Sequence, residues 1–170
     1  MKKLICLMVC AMLALIPCAL AEEQSGELPL AASLKAYLPT VGWEDYTAQD
    51  TDGDGYEDEF MISYDSEGAN GADTIDVYCQ CFDGAGRVVC NLAQVPEGAD
   101  PLKVYEQVNE FNANLTMGRW IYDEEAGVVR YCQEIYDVVG DSFGAYAFAH
   151  MEKAASYVYS FYDRFTAAIA

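Results

Sequence analysis

The segment that most constrains the fold is residues 100–136, DPLKVYEQVNEFNANLTMGRWIYDEEAGVVRYCQEIY. It reads as a capped amphipathic helix, a glycine and a β-hairpin. Asp100 stands at an N-cap position, and Pro101 takes the first helical position, where its missing N–H costs nothing. Val104, Val108, Phe111 and Leu115 form one apolar stripe. Gly118 follows the helix. Residues 120–122 and 128–136 then read as strands around a turn in which Gly127 can take positive φ.

The rest of the chain supplies the partners such a unit needs. Leu30, Leu34, Tyr37 and Leu38 have helical spacing, so residues 29–38 are expected to form a first short helix, ended by Pro39 and Gly42. Residues 43–49 and 56–64 read as strands, the second with Phe60, Ile62 and Tyr64 on one face. Residues 74–82 and 87–94, rich in Val, Ile, Tyr and Cys, form the next hairpin. From about residue 141 to 169 a long helix carries Phe148, Met151, Ala155, Val158, Phe161 or Tyr162, and Phe165 on one stripe. The order is α-ββ-ββ-α-ββ-α. Consecutive hairpins make an antiparallel sheet, and one-striped helices must cover a face of it. The expected class is a two-layer α+β domain.

The first residues stand apart from this pattern. Lys2 and Lys3 precede an apolar run to Cys18, and Ala19-Leu20-Ala21 offers a small-x-small cleavage site, so residues 1–21 read as a signal peptide. A lipoprotein anchor on Cys18 is the rival, disfavoured by Pro17 where a small residue is wanted. Residues 22–28 then form a flexible acidic tail and 29–170 a single domain, secreted and without a membrane span. Two of the nine basic residues leave with the leader and none of the 28 acidic ones, so the remainder carries seven basic residues and a formal charge of −21. Such a surface repels nucleic acid and anionic lipid and favours cations, basic partners or simple solubility.

Cys79, Cys81, Cys90 and Cys132 remain after the leader. Export permits disulfides, with three pairings open to four cysteines. If residues 83–86 are the turn, Phe82 faces Arg87 and Cys79 faces Cys90, close enough to bridge. Closing so short a loop would add about 2–3 kcal/mol on the chain-entropy model. Four small buried thiols are the alternative.

At residues 109–136 the chain resembles the YbjN-like family of bacterial proteins. The likeness rests on Asn109-Glu110-Phe111-Asn112 at a helix end, then Gly118 and the aromatic strand Arg119-Trp120-Ile121-Tyr122-Asp123. Gly127-Val128-Val129-Arg130-Tyr131 and a long C-terminal helix complete it. The resemblance implies a fold similar to type III secretion chaperones, small α+β proteins that bind partner polypeptides. This chain departs from the family in its leader and its cysteines.

The sharpest chemical motif is Asp50-Thr51-Asp52-Gly53-Asp54-Gly55-Tyr56-Glu57-Asp58. Oxygens of Asp50, Asp52 and Asp54, the Tyr56 carbonyl and Asp58 occupy positions one, three, five, seven and nine of a calcium loop, with Gly55 at the sharp turn. Position twelve is Met61, where a bidentate acid is usual, and a solvated hairpin turn suits the same residues. Catalysis finds no support: His150 is the single His, on an apolar helix, and no G-x-S-x-G surrounds a serine. Asn109 and Asn112 suit a helix end better than a groove. The sequence thus predicts a secreted, non-catalytic domain that binds a protein or peptide partner, with a homodimer open and no resident cofactor. A calcium-binding structural module is the alternative.

Overall fold

In the computed structural model, residues 26–68, 71–136 and 142–170 are described. The leader, the start of the acidic tail and residue 141 lie outside them. Helix α1 is Pro29–Tyr37, followed by a 3-10 turn at Leu38–Val41 that Gly42 ends with φ +88°. Strands β1 (Thr47–Gln49), β2 (Glu59–Asp65), β3 (Thr74–Phe82) and β4 (Ala85–Gln94) follow. Helix α2 (Pro101–Asn112), strands β5 (Arg119–Asp123) and β6 (Val128–Tyr136), and helix α3 (Phe143–Ile169) complete the chain. The α+β class and the element order are those expected.

The six strands form one antiparallel sheet in the order β1-β2-β3-β4-β6-β5. Chain order is broken once: β6 pairs with β4, and the β5–β6 hairpin leaves β5 at the edge. Helix α3 lies across β4 and β3, α1 packs on α3, and α2 lies beside β5 and α3. All three helices cover the same face. Its strand residues, Phe60, Ile62, Ile75, Val77, Cys79, Val88, Cys90, Leu92 and Tyr131 among them, are buried. An aromatic cluster joins α2, α3 and the β5–β6 hairpin: Phe111 lies 4.6 Å from Phe161 and Trp120 5.5 Å from Tyr131 between ring centroids. Burying such rings is the largest favourable contribution to a core of this kind.

Local chemistry sets the element ends. The Asp100 carboxylate accepts from Leu102 N–H at 3.0 Å, as an N-cap should. Gly118, at φ +69°, turns the chain into β5 in a place where a side chain would collide with the Tyr131 ring. Along α3 it is Phe161 that turns inward, while Tyr162 is half-buried.

Three expectations need correction. The first strand is only three residues long, because Trp43 leaves the sheet to pack edge-on against Tyr64 at 5.1 Å. The second begins at Glu59, not residue 56, since Asp58 N–H bonds Gln49 O at 2.9 Å and closes the acidic loop there. The β3–β4 turn has two residues, Asp83 and Gly84, with Phe82 opposite Ala85. Gly84 takes φ +70° at the second turn position, which allows the tighter connection. Cys79 therefore faces Val88, and Cys90 faces Val77. The direct opposition of Cys79 and Cys90 is lost, and all four cysteines are free thiols.

Candidate functional site

Strand side chains alternate between faces, so every strand that builds the core also presents a second set of residues to the uncovered side. On β4 that set includes Arg87 and Val89. On β6 it is Arg130, Cys132, Glu134 and Tyr136, and on β5 Arg119 and Ile121. The register brings them together: Val89 faces Cys132 across one gap, and Arg119 faces Cys132 across the other. Arg130 and Glu134 flank Cys132 on its own strand, and Arg87 faces Glu134. Three of the chain's few basic side chains thus surround one thiol on a strongly acidic protein.

Their partners are sparse. Arg130 reaches Asp123 at 2.9 Å and Arg87 reaches Glu134 at 3.6 Å, both partly exposed pairs of small energetic worth. Arg119 has no ion-pair partner among the described residues. The Nε atoms of Arg87 and Arg130 are buried and make no hydrogen bond. Burial pushes the Cys132 thiol up, against the pull of Arg87, Arg119 and Arg130, so it stays protonated. At one end of the patch Phe82 and Tyr136 are 43% and 60% exposed, and the Arg87 guanidinium lies 5.4 Å from the Phe82 ring centre.

Grooves run along this face. One of about 440 Å³ is lined by Arg87, Val89, Ile121, Arg130 and Cys132 among others. Another of about 270 Å³ lies between Phe82, Arg87, Glu134 and Tyr136, and a third of about 200 Å³ between Arg119, Cys132 and Glu134. Each pair of them has one wall residue in common, Arg87, Cys132 or Glu134, so the three adjoin. A separate hollow of about 430 Å³ lies at the α1–α3 crossing, where Gly144 N–H donates to Ser33 Oγ at 3.0 Å. It is lined by small side chains and by Tyr37.

The acidic loop behaves as its sequence suggests in part. Carboxylate oxygens of Asp50, Asp52 and Asp54 lie within 4.8 Å of one another, all exposed. Asp50 accepts from Gly53 N–H at 2.7 Å and Gly55 N–H at 2.9 Å, which holds its carboxyl below the ordinary value. Tyr56 N–H donates to Asp54 at 2.8 Å. Asp58 does not join the three: its two oxygens accept from Thr51 N–H and Thr51 Oγ1 at 2.9 and 2.7 Å. Glu57 is drawn away to Lys35 at 2.5 Å. Three converging carboxylates fit a hard cation, with Asp58 left as a brace of the loop.

The remaining candidates are structural. Asn112 spends its amide on an edge strand: its Nδ2 donates to Trp120 O at 2.9 Å and its Oδ1 accepts from Trp120 N–H at 2.7 Å. This side chain replaces a missing neighbour strand on the outer edge of β5. Asn114 caps the helix instead, donating to Glu110 O at 2.9 Å. His150 is buried against the Tyr146 ring, and burial lowers its pKa. Cys90 is pushed up to about 12 by burial, and Cys79 rises well above the ordinary thiol value through its contact with Cys81 and burial. These thiols are not nucleophiles.

No family model matches the chain, and no curated protein matches it in sequence. Solved structures do share its fold. A chain of the HopA1–SchA chaperone–effector complex aligns with a TM-score of 0.53 at 9% identity, covering 79% of this chain and 94% of that one. A chain of the ExsC–ExsE complex aligns with a TM-score of 0.50 at 14% identity, covering 79% and 96%. The fold is thus one found in a chaperone–effector complex. Among the described residues no helix is long and apolar enough to cross a membrane.

Proposed function

We propose that this chain is an exported, non-catalytic domain that works by binding another polypeptide. The observation that carries the reading is the sheet face that no described helix covers, where Phe82, Tyr136, Arg87, Arg119 and Arg130 gather around adjoining grooves. Aromatic residues and arginine are the side chains most enriched where proteins meet. The fold shared with a chain of a chaperone–effector complex and the YbjN-like arrangement of residues 109–136 support the same reading. The leader supports export: Lys2, Lys3, the apolar run and the small residues before Glu22. The buried, protonated thiols and the isolated His150 offer no acid, base or nucleophile for catalysis.

The test is retrieval. Tagged protein beginning at Glu22 should capture a partner saturably from the source cell's envelope or medium. A Phe82→Ser, Tyr136→Ser variant with an unchanged melting curve should capture much less. Retrieval of nothing beyond an unrelated acidic control would count decisively against binding as the function.

A second reading rests on Asp50, Asp52 and Asp54, whose converging carboxylates fit calcium. Under it, millimolar calcium raises the melting temperature relative to EDTA, and Asp52→Ala with Asp54→Ala removes the rise. Identical melts in calcium and EDTA would end that reading.

A further inference from the structure

Resting on the binding function proposed above, we infer that the depression over β4, β6 and β5 takes an extended peptide segment rich in carboxylates. Its acidic side chains would meet Arg87, Arg119 and Arg130, and its apolar ones would meet Ile121, Val89 and the exposed rings of Phe82 and Tyr136.

The argument begins with unsatisfied donors. A guanidinium carries five N–H groups in a planar fork suited to carboxylate. Arg119 has no ionic partner, and the buried Nε atoms of Arg87 and Arg130 have no acceptor. A buried donor left unpaired is costly, and a carboxylate is the acceptor that a guanidinium fork takes best. Charge points the same way. With 28 acidic residues against nine basic ones, the chain could have neutralised this patch many times over, yet it places only Glu134 and Asp123 beside three arginines.

Shape selects an extended segment. Arg87, Cys132 and Glu134 each wall two of the three grooves, so the grooves adjoin one another over β6 rather than lying scattered. A second copy of this chain is the weaker occupant. A two-fold contact centred on Cys132 would set each arginine cluster against its own counterpart, and like charges so placed repel. The repulsive field of the rest of the molecule is screened beyond about 8 Å at physiological salt, so it does not keep an acidic segment from reaching this patch.

The probe is a fluorescein-labelled, amidated peptide alternating Glu with Leu, titrated by anisotropy into protein beginning at Glu22. Saturable binding should weaken steeply with added salt. The peptide with Gln for Glu should bind at least tenfold more weakly. Arg119→Gln with Arg130→Gln should lose at least tenfold, and Arg119→Gln alone a smaller factor with an unchanged melt. Lys103→Gln, exposed on helix α2, should bind as the parent does. Bound peptide should also slow alkylation of Cys132. Equal affinity for the Gln peptide, or full affinity in the double variant, would overturn the assignment. So would a dimer in sedimentation that Arg119→Gln dissociates, because the patch would then belong to a second copy. Partner retrieval that persists at parental level in the double variant would sink this patch and leave the binding function standing. Loss of retrieval by the parent itself would sink the function.

Discussion

The two faces of the sheet are built by the same strands and obey opposite rules. On β4 the covered side carries Gly86, Val88, Cys90 and Leu92, all buried, while the uncovered side carries Arg87, Val89 and Asn91. Beneath the helices packing is so close that a Cβ at Gly86 would stand 2.5 Å from the Phe143 ring. On the other side the guanidiniums of Arg87 and Arg130 keep donors to spare. One face spends its chemistry on holding the fold, and the other holds chemistry that the fold does not use. That surplus is what a binding surface consists of, since contacts already satisfied within a protein have little to offer a partner.

The comparison breaks most sharply on substitution. Phe111→Ala removes a ring packed on both Phe161 and Phe165, and should cost about 3–5 kcal/mol of stability in a urea melt. Arg119→Gln on the uncovered side should stay within about 0.5 kcal/mol. A loss at Arg119 rivalling that at Phe111 would show that the uncovered face carries the fold after all.

Much of the covered face was legible in the sequence because its signals are local. Asp100 and Pro101 mark a helix start, Val104, Val108 and Phe111 mark its buried side, and alternation marks Phe60 and Ile62. The acidic loop was legible for the same reason: Asp50, Asp52 and Asp54 converge within one turn of chain. Asp58 lies apart from these three because Thr51 offers it both an N–H and a hydroxyl. The arginine patch was not legible. Arg130 and Cys132 share a phase on β6, but Arg87 joins them only through the β4–β6 pairing, which spans an intervening helix and strand. The β3–β4 register failed on a smaller ambiguity: Asp83-Gly84-Ala85-Gly86 allows a two-residue or a four-residue turn, and the difference moves Cys90 from Cys79 to Val77.

Asn112 sharpens the comparison at the boundary between the faces. Its amide satisfies both backbone groups of Trp120 on the outer edge of β5. Asn112→Ala leaves that N–H and C=O without their partner beside a buried Trp, and should cost about 1–3 kcal/mol. Asn112→Asp keeps the acceptor for Trp120 N–H but sets a carboxylate against Trp120 O, so it should recover little. Hydrogen exchange at the Trp120 amide should accelerate in both variants. If exchange there is unchanged, the side chain does not guard the edge. The bare edge also offers a strand to a second molecule, so the alanine variant should aggregate more readily on warming.

The smallest effect concerns protonation beneath the helices. Burial against Tyr146 lowers the pKa of His150 from its ordinary value of 6.5. The unfolded chain therefore binds a proton that the folded chain resists, and protonation favours unfolding. The neutral ring's contribution is fully present above about pH 6.5 and declines as pH falls below that value. His150 is the chain's one histidine, and the window between pH 5 and 6.5 is where an ordinary imidazole takes up its proton. The parent's melting temperature should fall gradually across that window, and His150→Leu should flatten the profile there. The uncovered face supplies the control, because Arg119→Gln should leave the shape of the profile alone. A His150→Leu protein that keeps the parental slope would mean the ring is open to water and that the helical face is less closed than its packing implies.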